Sequence, residues 1–144
     1  MQGAVSLWAF ADTIPRFRGT GYFNPWVVRK AVSGPIIVTR SKFDRAVGIF
    51  YPLASASVLA SPDFDPDEED LPRFGAIGAF GMRGLSIASQ RDMLTETQPY
   101  SFEKGKVYNL ESSRFISKGG GASGAHSDID GPQVAHAIWQ AALV

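Results

Sequence analysis

Ser33 to Gly48 reads SGPIIVTRSKFDRAVG. Ser33-Gly34-Pro35 is a turn signal. Ile36, Ile37 and Val38 form a short β-branched run, the pattern of a strand buried on both faces. The strand ends at Thr39, a polar turn carries Asp44, and an apolar helical pattern starts at Ala46. This is a strand-loop-helix unit with a carboxylate in its loop. In an open α/β sheet, ligands and chemistry collect in the loops beyond the carboxyl ends of the strands. The stretch therefore predicts an α/β fold and makes Asp44 the first candidate functional residue.

Bulk properties set the limits. The 144 residues suit one domain. A chain of this size can bury about two-thirds of its unfolded surface, enough for a core without staples. Apolar residues make up 44%, and 14 basic residues balance 14 acidic ones. The balance gives no electrostatic case for nucleic acid or an anionic membrane. The absence of cysteine excludes disulfides, thiolate metal sites and a cysteine nucleophile, and it fits a reducing compartment such as the cytoplasm. No apolar run approaches the roughly 20 residues that span a bilayer. The start, MQGAVSLWAF, lacks the basic lead of a signal peptide and reads as if the chain begins inside a strand.

Outward from the central stretch, Gln2 to Phe10 is a candidate buried strand, followed by Asp12. Pro25 to Val32 reads as a short helix, with proline at its first position. Ala46 to Ala60 reads as a helix with Val47, Phe50, Tyr51, Ala54 and Val58 on one face, kinked or restarted at Pro52. Residues 61–85 read as an exposed insertion. Ser61 to Pro72 is an acidic, proline-punctuated loop, and its alternating Asp63, Asp65, Asp67 and Glu69 lack the glycine and terminal glutamate of a calcium loop. Phe74 to Leu85 carries glycine at every third position without the ending of a phosphate loop, so it reads as a flexible or closely packed surface segment.

Lys106 to Leu110 is the last strand. A long loop, Glu111 to Asp130, contains His126, and loops of such length are often functional. Gly131-Pro132 opens a terminal helix with Asp130 as its expected N-cap. Its expected apolar face is Val134, Ala135, Ile138, Trp139 and Ala142, with His136 facing solvent.

Asp44 and His126 thus follow two different strands. A serine hydrolase uses such a pair: the imidazole takes a proton from a nucleophilic hydroxyl, and the carboxylate holds the other ring nitrogen. In α/β-hydrolases the order along the chain is nucleophile, acid, base. Here the acid precedes the base, with about eighty residues between them for a cap or loop region and one strand.

VSGPIIVTRSKFDRAVGIFYPLAS, FGAIGAFGMRGL and VYNLESSRFI followed by AHSDIDGPQVAHAIWQAAL resemble the C-terminal half of a poorly characterised bacterial group of α/β-hydrolase-fold proteins. The resemblance spans nearly the whole chain. It implies the C-terminal part of a parallel sheet with flanking helices, in three layers. Gln2 to Phe10 would then be the strand after the nucleophile helix, and Ile36 to Thr39 the strand before the acid. Val107 to Leu110 would be the last strand, before the catalytic histidine. The resemblance also implies hydrolysis of an ester or amide through an acyl-serine, without a cofactor or metal.

The nucleophile elbow, G-x-S-x-G between strand and helix, has no match in these residues. The nearest are Gly84-Leu-Ser86-Ile-Ala88, ahead of a helix-like IASQRDML, and Gly121-Ala-Ser123-Gly-Ala125. Both end in alanine and follow Asp44. The expectation is a fragment with negligible activity alone, partnered by its missing N-terminal half or by a second copy through an exposed sheet edge. Each candidate keeps an alternative. For Asp44 the alternative is a helix cap alone, and Asp12 is a rival acid. His126 is a surface histidine or, with Asp128 and Asp130, a metal ligand. A non-catalytic chain that binds a partner or serves structurally, through Trp8, Phe17, Tyr22, Phe23 and Trp26, is the competing function.

Overall fold

The computed structural model describes residues 3–15, 19–51, 53, 71–72 and 74–144. In chain order its elements are α1 (Asn24–Val28), β1 (Ile36–Arg40), α2 (a π-helical turn, Ala46–Phe50), α3 (Ile77–Phe80), β2 (Ala88–Asp92), β3 (Val107–Glu111) and α4 (Pro132–Ala142). The strands form one parallel sheet in the order β1-β3-β2. Val107 stands opposite Ile36 on one side and Ala88 on the other.

β3 is central because its side chains suit burial on both faces. Tyr108 and Leu110 pack with Phe102, Ile116, Val134 and Ala137 on the α4 side. Val107 packs with Val38, Ile77 and Met82 on the opposite side. This two-residue alternation is the strand period. The result is a sheet covered on both faces, as parallel sheets require. The fold is α/β with a small parallel sheet and flanking helices, as the sequence implies at that level.

Several elements differ from expectation. The strand expected over Gln2 to Phe10 is absent from its described residues. Residues 3–10 run through turns and bends with one isolated bridge, Ser6 to Ala76. Leu7 and Trp8 are buried, so the apolar run marked core. Its backbone bonds instead go to the 75–83 segment, through Leu7 N–H to Gly75 O at 2.9 Å and Arg83 N–H to Leu7 O at 2.9 Å. IASQRDML contains β2 rather than a helix. The ladder with β3 fixes that conformation, and three exposed polar side chains, Gln90, Arg91 and Asp92, suit an outer strand.

The exposed-insertion reading of 61–85 fails over 74–85. Ala76, Ile77, Ala79, Phe80 and Met82 are all buried. The glycines serve close packing. Gly81 has φ 75°, and a Cβ there would lie 2.6 Å from the Asn109 amide. That amide binds the Met82 backbone twice, accepting from its N–H at 2.8 Å and donating to its carbonyl at 2.9 Å. Residues 61–70, with Asp63, Asp65, Asp67 and Glu69, lie outside the described residues.

Of the helix expected over 46–60, the described part is α2 with Tyr51 and Leu53. Pro52 and residues 54–60 lie outside it. Phe50 is exposed, because wider π winding rotates it off the face that buries Val47. α1 is shorter than 25–32, ending before Lys30, which takes φ 51°.

Gly131, not Asp130, is the N-cap of α4, and no side chain caps it. The buried face of α4 is Val134 and Ala137, with Ala141 against the same core. Ile138 and Trp139 are exposed, Trp139 at 66%. Small alanines let α4 approach the sheet closely, and the bulkier apolar stripe is left outside. His136 is half-buried rather than solvent-facing. Its Nε2 lies 2.9 Å from Gln98 O, and its ring sits 5.7 Å from Tyr100.

Candidate active site

The site is built by the two loops that leave the carboxyl ends of the neighbouring strands β1 and β3. Ser41, the first residue after β1, is fully buried. Its hydroxyl donates to Ile116 O at 2.6 Å and accepts from Phe43 N–H at 3.1 Å. Asp44 N–H closes the turn on Ser41 O at 3.2 Å. Lys42 N–H donates to Ser113 Oγ at 3.0 Å. The two loops are thereby tied at their roots.

A second set of bonds joins them further out. Ala125 N–H donates to Phe43 O at 2.9 Å, and Ala46 N–H to Ser123 O at 3.3 Å. These make an antiparallel bridge between Asp44 and Gly124. Gly124 has φ 60°, and a Cβ there would collide with Phe43 O. Glycine is needed on both counts. The glycine-rich run before His126 therefore gives close backbone approach to the Asp44 loop.

The bridge places the side chains of Asp44 and His126 face to face. His126 Nδ1 lies 2.9 Å from Asp44 Oδ2 and 3.1 Å from Oδ1. The Asp44 side chain is 0% exposed and that of His126 is 41% exposed. Oδ1 of Asp44 also accepts from Val47 N–H at 3.3 Å. One carboxylate thus caps α2 and holds the imidazole, so the capping and orienting roles coexist. A carboxylate only accepts, which assigns the proton to Nδ1. Neutral His126 then keeps its lone pair on Nε2. Among the described residues nothing hydrogen-bonds Nε2.

Asp128 holds the loop that carries His126. Its Oδ2 accepts from Ser117 N–H at 2.8 Å and Lys118 N–H at 2.7 Å, closing 117–128 at its base. The Lys118 amide bond, foremost, holds the Asp128 carboxyl below its ordinary pKa. This carboxylate is engaged with backbone amides, which leaves the metal reading of His126, Asp128 and Asp130 without a converging set. Among the described residues no group of three His, Cys, Asp or Glu side chains converges to hold an ion.

Asp12 and Ser86 meet each other and not His126. Asp12 Oδ2 accepts from Ser86 N–H at 2.7 Å, and Oδ1 from Asn24 Nδ2 at 2.9 Å. The Ser86 backbone bond, then the Ser86 hydroxyl, depress the Asp12 carboxyl pKa. Ser86 lies two residues before β2, at the amino end of the sheet. Strands of this length rise about 3.3 Å per residue, so roughly 13 Å of sheet separate that end from the Asp44 loop. Asp12 is therefore not brought to the histidine, and Ser86 has no imidazole beside it. Ser123 is exposed, and its carbonyl contributes to the bridge.

Ser41, Ser113, Gly124 and Asp128 were not legible as site residues. Ser41, Ser113 and Gly124 act through the backbone of the partner loop, Asp128 through amides of its own loop rather than as the metal ligand the sequence offered, and such contacts leave no spacing in the sequence. Glycine clustering just before a histidine was the one available signal. Among the described residues no helix is long and apolar enough to cross a membrane. No protein-family model matches the chain, no curated protein matches it, and no solved structure matches it.

Proposed function

We propose that this chain carries the acid and the base of a serine hydrolase of α/β-hydrolase type, Asp44 and His126, and that the nucleophile comes from a segment other than these residues. The observation that carries the reading is the Nδ1-to-carboxylate bond of 2.9 Å between a buried aspartate and a half-exposed histidine. The two residues follow the carboxyl ends of neighbouring parallel strands. A surface histidine or a simple cap does not need this arrangement.

The chemistry follows from the free nitrogen. Nε2 takes the proton of a serine hydroxyl as the oxygen attacks an ester or amide carbonyl. The imidazolium then bears a proton on each nitrogen, and Asp44 stabilises it through Nδ1–H. Nε2–H passes its proton to the departing alcohol or amine, leaving an acyl-serine. Water attacks next, with Nε2 again as base. Without the nucleophile, turnover falls on the order of a million-fold, so this chain alone has negligible activity.

The test is fluorophosphonate labelling of the protein expressed with its native upstream reading frame. The reading predicts a labelled serine in a G-x-S-x-G context and loss of labelling in His126→Ala. Labelling that survives His126→Ala refutes it. A second reading, a partner-binding or structural α/β domain, is favoured by the exposure of Tyr22 (85%) and Trp26 (64%). Trp8 is buried and drops out of that surface, while Phe17 lies outside the described residues. A soluble monomer that captures no second copy of itself and no missing half counts against it.

A further inference from the structure

We propose that the cleft beside the Asp44–His126 pair binds an oxyanion on the substrate, so that the hydrolase acts on small anionic esters or amides. The inference rests on the triad reading for its substrate, but the cleft can be tested without it.

The cleft has a volume of about 300 Å³. Its walls include Phe43 and Arg45, which flank Asp44, and Gly124 and Ala125, which precede His126. The bridge that orients the pair is therefore also a wall of the cleft. Lys42 and Arg45 supply two cations to the lining, and no acidic residue lines it among the described residues. Lys42 Nζ lies over the Phe43 ring at 5.4 Å from its centroid, beside the cleft wall. Arg45 uses Nη1 to reach Gly121 O at 3.4 Å. A guanidinium has five donors, so this bond steadies Arg45 and leaves donors for a ligand.

The remaining walls are chemically consistent with an anionic, partly apolar molecule. Gly119, Gly120 and Gly121 present backbone without side chains, leaving room for a ligand to approach. Phe43 and Ile49 offer apolar contact to its body. Lys42 and Arg45 both line the cleft, and an oxyanion bound there is attracted to each. A neutral ligand gains only the apolar contact. The cleft thus discriminates by charge, and the residues on either side of Asp44 and the two that precede His126 are part of its lining.

The experiment is a backbone-amide NMR titration of the isotopically labelled chain with phenylacetate, and with phenylacetamide as the neutral control of nearly the same shape. Saturable shifts are expected at Gly119, Gly120, Gly121 and Gly124 with phenylacetate, and about tenfold weaker binding for phenylacetamide. Lys42→Gln weakens phenylacetate binding severalfold, and Lys42→Gln/Arg45→Gln about tenfold or more, with the remaining amides unmoved. Raised salt weakens it as well. Equal binding of the two probes, no saturable shift at the glycines, or unchanged binding in Lys42→Gln overturns the proposal. The titration requires neither the nucleophile nor turnover. Failure of the cleft thus leaves the labelling test of the triad standing, and failure of the triad leaves this titration readable.

Discussion

Replacing Asp44 by asparagine separates the two tasks of its carboxylate. The side chain keeps its shape, so Oδ1 still accepts from Val47 N–H, now 3.3 Å away. The other end becomes an amide donor facing His126 Nδ1, which lies 2.9 Å from Oδ2 in the parent. Two donors cannot share that contact. The imidazole resolves the conflict by moving its proton to Nε2, so that Nδ1 accepts from the amide. Stability then falls only by the difference between a charge-assisted and a neutral hydrogen bond, about 1 kcal/mol. Asp44→Ala is different. It removes the cap and so leaves the buried Val47 N–H unpaired, at about 1–3 kcal/mol. The His126 side chain is 41% exposed, so water entering the space left by the carboxylate satisfies Nδ1–H at little cost. The expected losses are about 1 kcal/mol for asparagine and about 1–3 kcal/mol for alanine, with alanine the more destabilising. For a domain of this size each kcal/mol lowers Tm by about 4 °C. The assays are thermal unfolding and long-range proton–nitrogen NMR of His126, which reports the tautomer. In the assembled hydrolase the wrong tautomer costs about 10⁴ in turnover. A His126 that keeps its proton on Nδ1 in Asp44→Asn, or equal stability losses in the two variants, refutes the account.

Two further outcomes follow from the loops. Gly124→Ala forces an L side chain to φ 60° and against Phe43 O, so it should cost about 1–3 kcal/mol and break the Asp44–His126 contact, whereas Gly120→Ala, with nothing within 4 Å, should change neither; unfolding midpoints and the His126 nitrogen shifts check both. The depressed Asp128 pKa, caused chiefly by the Lys118 amide, makes its clamp fully formed above the unfolded value of about 3.9 and lost as pH falls through the lower folded value. The Ser117 and Lys118 amide resonances should therefore hold their neutral-pH positions down to about pH 4 and move only below it; Asp128→Asn should show the displaced positions already at pH 7.

The sequence was readable where a residue's chemistry and its place after a strand coincided. Ile36 to Val38 announced β1 because β-branched residues in a short run suit a strand covered on both faces. Val107 to Leu110 did the same for β3, and the loops after both strands contained Asp44 and His126. Reading failed where tertiary contact set the conformation. Leu7 and Trp8 lie in a buried run with no strand, since turn bonds to 75–83 satisfy its backbone. Ser89 to Asp92 forms a strand that no side-chain pattern marks, because only its ladder to β3 requires it. The 74–85 glycines looked like surface punctuation and instead admit Asn109 and its two backbone bonds. On α4 the sequence pointed to a face through Ile138 and Trp139, whereas Val134 and Ala137 are the buried residues, because small alanines pack closer to the sheet than the bulkier stripe.

The Asp44–His126 geometry is held by its own two loops. Ser41 and Ser113 tie their roots, Gly124 lets them touch, and Asp128 closes the base of the His126 loop. None of these contacts uses a group from a nucleophile-bearing segment. On the proposed reading the pair is preorganised: the second nitrogen would be oriented before any hydroxyl arrives, and no later step would have to spend binding energy to align it. This separates the chemistry into two independently testable parts. The orientation of His126 is measurable in this chain by itself, through its tautomer. The proton transfer it would perform requires a serine supplied at Nε2. On the proposed reading, these residues by themselves should bind ligands at the site without turning them over, and supplying a serine at Nε2 should raise the rate without moving His126.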